Sequence, residues 1–173
     1  MEFNDKDIID LLQYSFVRMD GAWFLGLAKK YGIETAWEMD VEAWKQFSYV
    51  FGRRLKKTHI PEPEWPQSFL DALNALSRVL KIEGREVTID GDNIIVRVTD
   101  CETQKAIAKA GIADCGIVTV ETYQGIARAL FGDSVKINVE HTKNLNRGAE
   151  CCEVVITGRS EERRVGKECR SRW

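Results

Sequence analysis

Apolar residues in the first half of the chain recur at the spacing of α-helices. A first stripe, capped by Asp5 or Asp7, is expected to end at Asp20-Gly21, and Thr35 is the expected cap of a long later helix. A connector containing three prolines leads to a last stripe, whose first turn Pro66 can form. The helical segments predicted after the break are Ala22–Tyr31, Ala36–Lys57 and the stripe Phe69–Leu80.

After Gly84 the spacing changes to the alternation that is typical of β-strands. The turn sequence Asp90–Asn93 predicts a first hairpin, a capping box at Thr99–Glu102 opens a short helix to Ala110, and another helix spans Thr119–Phe131. The four predicted strands are Glu86–Ile89, Ile94–Val98, Ser134–His141 and Glu150–Thr157. Two hairpins separated by two helices indicate an α+β domain, in which the N-terminal helices pack on an antiparallel sheet of about four strands.

The last fifteen residues, 159–173, follow neither pattern. They resemble the translation of a sequencing adapter, so we expect an artefactual or disordered tail and exclude it from the fold. The remaining chain, 1–158, is then one domain with a helical half (1–83) and a sheet half (84–158). The excluded tail carries Cys169.

The charge of the chain argues against nucleic acid as a partner. The tail holds six basic and three acidic residues, and removing it leaves 19 basic and 24 acidic residues, a formal charge of −5 in place of −2. No apolar run is long enough to span a membrane, and the N-terminal residues are polar and acidic rather than typical of a signal segment. We therefore expect a cytoplasmic protein with reduced thiols and no membrane partner.

The final predicted hairpin brings a histidine and a cysteine together. If its turn is centred between Asn146 and Arg147, His141 lies opposite Cys152, on a face that is otherwise apolar. Directly opposed side chains are about 5 Å apart at Cβ, which is close enough to share a metal ion or a proton. Cys151 is adjacent to Cys152 in the strand and therefore points to the opposite face.

These residues suggest a metal site. Cys115, His141 and Cys152, with Cys101 as a possible fourth member, are the soft and borderline ligands that suit zinc or iron. Three protein ligands with an open position are typical of catalytic sites, and four of structural ones. The alternative is that they are small buried thiols and one hydrogen-bonded histidine.

A nucleophilic site is a second hypothesis. Cys101 lies near a predicted helix N-terminus, where the helix dipole favours a thiolate, and His141 is a candidate base that Glu140 or Glu150 could orient. Cys115 is the other candidate nucleophile. The alternative is a cysteine that only fills space in a first helical turn.

The helical half is rich in tryptophan. Trp37 and Trp44 lie two turns apart on one face of the long helix, and Trp23 precedes them on the shorter one. Aromatic walls are typical of small-molecule sites, so these three residues are candidate ligand contacts. For any single one of them, a place in the core of an amphipathic helix is the alternative.

Two segments carry a resemblance to known families. The segment Met19-Asp20-Gly21-Ala22-Trp23-Phe24, followed by Gly32, Ala36 and Trp44, resembles the signature of a small prokaryotic family of unknown function, and Cys101-x-x-Gln104 with Gly111-Ile112-x-x-Cys115 resembles its second half. More distantly, the layout is similar to four-vinyl-reductase-like domains and to L-2-amino-thiazoline-4-carboxylic acid hydrolase-like proteins.

The resemblance to vinyl-reductase-like domains implies zinc held by cysteines and an acidic residue, beside a buried pocket for a small apolar ligand. By position, Cys115 matches the loop cysteine, His141 or Glu140 the first hairpin ligand, and Cys151 or Cys152 the last. A further cysteine of these relatives falls where Lys143 and Asn144 stand in this chain, which leaves Cys101 or water as the fourth ligand.

We therefore predict a small-molecule-binding domain with a Cys/His metal site beside an aromatic-lined pocket. The enzyme alternative is a hydrolase of a small heterocyclic or amide substrate that uses metal-activated water or a cysteine nucleophile. A homodimer formed through the apolar N-terminal helices is a further possibility.

Overall fold

The computed structural model describes residues 2–82 and 84–160 and confirms the α+β class. The helices are α1 (Asp5–Tyr31), α2 (Ile33–Thr58), α3 (Gln67–Val79), α4 (Glu102–Lys109) and α5 (Gly116–Phe131), with a 3₁₀ turn at Leu145–Arg147. The strands are β1 (Arg85–Asp90), β2 (Asn93–Val98), β3 (Val135–Lys143) and β4 (Cys152–Ser160). No described helix contains an apolar stretch that could cross a membrane.

The first helix is longer than the sequence suggested. α1 runs unbroken through Asp20-Gly21, so the predicted break there is wrong. A single helical glycine lowers helix stability by about 1 kcal/mol, which is too little to end a helix of this length. Asn4, rather than Asp5 or Asp7, is the N-cap and forms a capping box with Asp7. Gly32, with φ of +91°, separates α1 from α2, which begins two residues before the predicted cap Thr35.

The four strands form one antiparallel sheet in the order β1-β2-β4-β3. One face is covered by α3 and α5, and the side chains between these layers form the apolar core. Its largest fully buried members are Phe69, Leu73, Ile94, Ile126, Leu130 and Ile156. Because all neighbouring strands are antiparallel, the first residues of β1 and β4 and the last residues of β2 and β3 lie at the same end of the sheet.

The backbones of α2 and α5 lie unusually close together. A Cβ atom added at Gly52 would be 2.7 Å from Cβ of Ala129, and one added at Gly125 would be 2.2 Å from Oγ of Ser48. Side chains at these two positions would therefore push the helices apart. The contact holds α2 against α5, and α1 packs on α2.

The predicted register of the final hairpin is wrong by two residues. His141 pairs with Val154 rather than with Cys152, and Val139 pairs with Ile156. The 3₁₀ turn and a bulge between His141 and Lys143 take up chain that the prediction assigned to a tighter turn. An even shift leaves every side chain on its predicted face, so the alternation of the two strands was predicted correctly.

Three further boundaries differ from expectation. Cys101, not Thr99, caps α4, and α5 begins at Gly116, three residues before Thr119. β4 extends through Arg159 and Ser160, which pair with Lys136 and Val135, although both residues were predicted to lie in the tail. The rest of that tail, including Cys169, lies outside the described residues.

Candidate functional site

Five polar residues gather where the ends of the strands meet α4 and α5. We call Cys101, Asp114, Cys115, His141 and Cys152 the polar corner. Cys101 caps α4, Cys115 caps α5, Cys152 begins β4 and His141 lies near the end of β3. Cys152 and Cys101 lie close enough to Cys115 to raise its pKa, and Cys101 acts on the pKa of Cys152 in the same way. The structure therefore brings the predicted cysteine and histidine residues into one region.

The thiols of this corner are shielded from water. Burial, with smaller effects from Cys152 and Cys101, raises the pKa of Cys115 to about 11. Burial also raises the pKa of Cys152, although its Sγ accepts a hydrogen bond of 3.4 Å from the backbone N–H of Leu145. Both groups are neutral thiols at pH 7. In the same way Sγ of Cys101 accepts from the N–H of Gln104 at 3.4 Å.

The ring of His141 is enclosed without hydrogen bonds. Both of its nitrogen atoms are buried and have no partner among the described residues. Burial lowers the pKa of His141, and the nearby carboxylate of Asp114 partly opposes this effect. Gly116 lies against the ring, since a Cβ there would be 2.5 Å from Nδ1 of His141. The side chain is thus a neutral imidazole with two unused hydrogen-bonding atoms.

Asp114 organises the loop beside His141, and sequence reasoning missed it. Its carboxylate accepts hydrogen bonds from the backbone N–H of Gly116 and from Nδ2 of Asn144, both at 2.7 Å, and pairs with Arg147. An aspartate two residues before a helix is a signal that could have identified it. Asn144 is held in this network by its side-chain amide.

The predicted metal ligands share the corner without converging on one point. No three histidine, cysteine, aspartate or glutamate side chains within residues 2–82 and 84–160 are arranged to hold a metal ion. The soft donor set and the unused nitrogen atoms of His141 nevertheless suit zinc or iron in kind. Cys151 does not belong to the set, because it lines a depression on the other side of the sheet.

Two further buried groups border the polar corner. Nη1 of Arg85 donates to the carbonyl of Leu73 at 2.7 Å and to Oγ of Ser77, while Nε and Nη2 have no partner in the described part of the chain. Burial lowers the pKa of Arg85 and raises that of Tyr123, and the two groups influence one another. Neither residue was singled out from the sequence, because nothing in the local pattern distinguishes them from core and surface positions.

A second candidate site lies on the helical side of the molecule. Phe16, Met19, Asp20 and Trp23 line an open groove of about 250 Å³ on α1, which we call the aromatic groove. The ring of Trp44 on α2 meets that of Phe16 edge to face, with centroids 6.3 Å apart. The predicted ligand contact Trp23 is therefore in the groove lining, and Trp44 supports it from behind.

Trp37, the third predicted contact, is not part of this groove lining. Its ring packs edge to face on Phe24, at a centroid distance of 6.5 Å, deeper between α1 and α2. Packing between two helices therefore describes the position of Trp37 better than contact with a ligand in this groove.

Two carboxylates give the groove a negative charge. Burial raises the pKa of Asp20, and the neighbouring Trp44 side chain partly opposes this effect. Burial, together with the charge of Asp20, raises the pKa of Asp40 from 3.8 to about 6. With a pKa of about 6, Asp40 is ionised at neutral pH, so the groove favours neutral or cationic molecules over anionic ones.

A larger depression of about 300 Å³ lies on the other face of the sheet, between Glu86, Arg97, Lys143 and Glu150. It is lined mainly by charged side chains, and Arg97 pairs there with Glu153 at 2.6 Å. Solvated ion pairs are ordinary on the open face of a sheet. We therefore do not count it among the candidate sites.

The chain matches a known protein family, and its fold is similar to that of a solved structure. The model of a family of unknown function, DUF6125, matches residues 3–143. A search among curated proteins found no match. Among solved structures, the chain is similar to the phenol-responsive sensory domain of the transcription activator PoxR, determined with phenol: the identity is 15%, the TM-score 0.50, and the match covers 79% of this chain and 71% of that one. At this identity the likeness indicates a shared fold alone.

The comparisons confirm part of the predicted resemblance. A family of unknown function was expected from the segment at residues 19–24, and one is found. The similarity to four-vinyl-reductase-like domains and to the hydrolase-like proteins stays a prediction.

Proposed function

The chain belongs to the family of unknown function DUF6125, and we propose that it binds a small organic molecule in the aromatic groove. The observation that carries this proposal is the groove itself, about 250 Å³ in volume and lined by two aromatic rings, a thioether and a carboxylate. Apolar concave sites with few polar groups are typical of small-molecule binding. The fold shared with a phenol-responsive sensory domain supports the same class of function.

The charge of the groove narrows the class of ligand. Asp20 in the lining and Asp40 behind it repel a carboxylate, whereas an ammonium group next to Trp23 would gain both ion pairing and a cation–π contact. The volume suits a molecule with a single ring. We therefore favour a small aromatic amine over a phenol, and a phenol over an aromatic acid.

Calorimetric titration with benzylamine, phenol and benzoate tests this order. We expect benzylamine to bind most tightly and benzoate least, and Trp23→Ala to weaken benzylamine by at least about 10-fold. Asp20→Asn should reduce the preference for benzylamine over phenol. The matched control is Tyr31→Ala, which removes another exposed aromatic ring from the same helix, outside the groove.

The proposal fails if none of the three probes binds at probe concentrations up to about 10 mM, above which binding would be too weak to be specific. It also fails if Trp23→Ala and Tyr31→Ala have the same effect.

We further propose that Cys115, His141 and Cys152, with Cys101 as a fourth ligand, hold a zinc or iron ion. The unused nitrogen atoms of His141 and the three thiols support this, because a bound metal would replace the missing hydrogen bonds and stabilise the thiolates. The ion would tie the final hairpin to the starts of α4 and α5.

Elemental analysis of the purified protein tests the metal proposal, and the chain offers a close control. Cys152→Ser should lower the metal content, as should Cys115→Ser and His141→Ala, while Cys151→Ser should not, because Cys151 lines the opposite side of the sheet. The proposal is excluded by a wild-type protein without metal, or by equal losses in Cys151→Ser and Cys152→Ser.

The hydrolase alternative has less support. Burial keeps the thiols of Cys115 and Cys152 protonated, and a neutral thiol is a poor nucleophile. Cys101 remains the candidate nucleophile, with His141 as its neutral base. The rate of alkylation of Cys101 tests this alternative. If Cys101 reacts no faster than a free thiol at pH 7, it is excluded as a catalytic nucleophile.

A further inference from the structure

The first helix exposes far more apolar surface than a helix packed on one side normally does. α1, which the structure describes throughout, has no buried residue in its 27 positions. Eleven of its large apolar side chains are exposed: Ile8, Ile9, Leu11, Leu12, Tyr14, Phe16, Val17, Met19, Trp23, Leu25 and Tyr31. Exposed apolar patches of this kind mark interaction sites.

Four of these side chains form a stripe that faces away from the rest of the domain. Ile8, Leu12, Met19 and Trp23 are spaced 4, 7 and 4 residues apart, which places them along one side of the helix. The other sides of the helix hold the contacts to the domain: Asp10 pairs with Lys81, Gln13 donates to the carbonyl of Arg78 at 2.7 Å, and Phe16 and Phe24 pack on rings of α2. We call the four residues the α1 stripe.

The charges of α1 indicate what covers this stripe. Its N-terminal end has a net negative charge, with Glu2, Asp5 and Asp7 against Lys6, and its last turn carries Lys29 and Lys30. Two copies of the helix in antiparallel orientation bring each acidic end next to a basic end. A parallel arrangement would place like charges together at both ends.

We propose that α1 pairs with α1 of a second copy of this chain in an antiparallel, two-fold symmetric contact. With the axis between Ser15 and Phe16, Ile8 of one copy meets Trp23 of the other, and Leu12 meets Met19. An interface of this kind is self-complementary, because each contact occurs twice.

The available area suits such a pair. Ile8, Leu12, Met19 and Trp23 are 43%, 64%, 69% and 70% exposed. If a fully exposed large apolar side chain presents on the order of 150–200 Å², the stripe offers roughly 400 Å² of apolar surface. A standard interface buries about 800 Å² per partner, of which a little over half is apolar. A helix about 40 Å long is sufficient for a contact of that size.

The dimer does not depend on ligand binding, although Met19 and Trp23 also line the aromatic groove. A second copy would cover the open side of the groove. The proposed function can therefore fail while the dimer is found, and the reverse also holds, because the first is measured by titration and the second by molecular mass.

Sedimentation equilibrium of the full chain measures the dimer directly. Met19→Glu should raise the dimer dissociation constant by at least about 100-fold, since the symmetric interface would bury the added charge twice. The matched control is Val50→Glu, which adds the same charge at an exposed apolar position of α2. A wild-type monomer at about 100 µM, or equal effects of the two substitutions, would overturn the proposal.

Charge exchange tests the orientation with variants that leave the stripe intact. Glu2→Lys/Asp5→Lys and Lys29→Glu/Lys30→Glu should each dissociate the dimer, and an equimolar mixture of the two should form a heterodimer. If either double variant dimerises as well as wild type, the antiparallel pairing is wrong. Co-sedimentation of a monomeric wild-type protein with anionic lipid vesicles would show instead that the stripe serves a membrane surface.

Discussion

The first two helices have nearly the same length but different positions in the molecule. α2 buries Ala36, Ser48 and Gly52 and lies against α5 at backbone distance, whereas α1 buries none of its residues, all of which the structure describes. The apolar side chains of α2 therefore contribute to the stability of the fold. Those of α1 contribute little to it, and we assign them to recognition of a ligand and of a second copy.

The largest effect should come from removing core side chains. Phe69→Ala is expected to lower the free energy of unfolding by about 3–5 kcal/mol, because Phe69 is fully buried between α3 and the sheet. Leu12→Ala on the exposed side of α1 should change it by less than about 0.5 kcal/mol in the monomer. Urea denaturation at a concentration below dimer formation compares the two, and equal losses would show that α1 belongs to the core.

Glycine substitutions should have opposite signs in the two helices. Gly52→Ala is expected to destabilise by about 1–3 kcal/mol, since its Cβ would lie 2.7 Å from Ala129 and 3.1 Å from the carbonyl oxygen of Ile126. Gly26→Ala has open space around it in α1 and should stabilise by about 0.5–1 kcal/mol through helix propensity. Thermal unfolding of both variants measures the difference. Destabilisation by Gly26→Ala would mean that α1 packs against something in the free protein.

A smaller effect should come from Asp40, which lies near Asp20 of α1 and should make the free energy of unfolding depend on pH. The pKa of Asp40 is about 6 in the folded protein and near 3.8 when unfolded, so the folded state binds the proton more tightly. As the pH rises from about 4 to 6, ionisation of Asp40 therefore lowers the free energy of unfolding. Above that range the free energy of unfolding does not change further through this group. Asp40→Asn should stabilise by about 1 kcal/mol at pH 7, after allowance for partial exposure, and should have no effect near pH 3.5.

The matched control for this prediction is Asp133→Asn, which removes an exposed carboxylate from the turn after α5. Chemical denaturation between pH 3.5 and 8 gives the two profiles. A benefit of Asp40→Asn that does not change with pH would exclude the proposed ionisation.

Local sequence signals located the sheet half of the fold well. The turn Asp90–Asn93 has the residues that a hairpin turn requires, and both strands beside it were predicted to within one residue at each end. The last hairpin was harder because its connection is a 3₁₀ turn with a bulge, and no local pattern specifies how many residues these take up. The face of His141 was predictable, while its partner across the strands was not.

In both candidate sites, some residues could be predicted from the sequence and others could not. Trp23 was identified because tryptophan is uncommon and its position on α1 could be read from helical spacing. Asp20 and Asp40 were not, because their proximity depends on how α1 packs on α2, which only the structure gives. In the polar corner, the cysteines and His141 were evident by residue type. Asp114 was missed because the start of α5 was predicted three residues too late, and Asn144 acts through a loop contact that has no distinct sequence pattern.

The indole N–H signals in a two-dimensional ¹H–¹⁵N spectrum test most directly whether the aromatic groove is the ligand site. On titration with benzylamine, the signals of Trp23 and of Trp44, which lies beside Asp20 and Phe16, should shift together. The signal of Trp65, whose Nε1 donates to the carbonyl of Asp92 at 3.1 Å beside the core, should not move. Shifts at Trp65 or in the final hairpin, with Trp23 unchanged, would contradict the account.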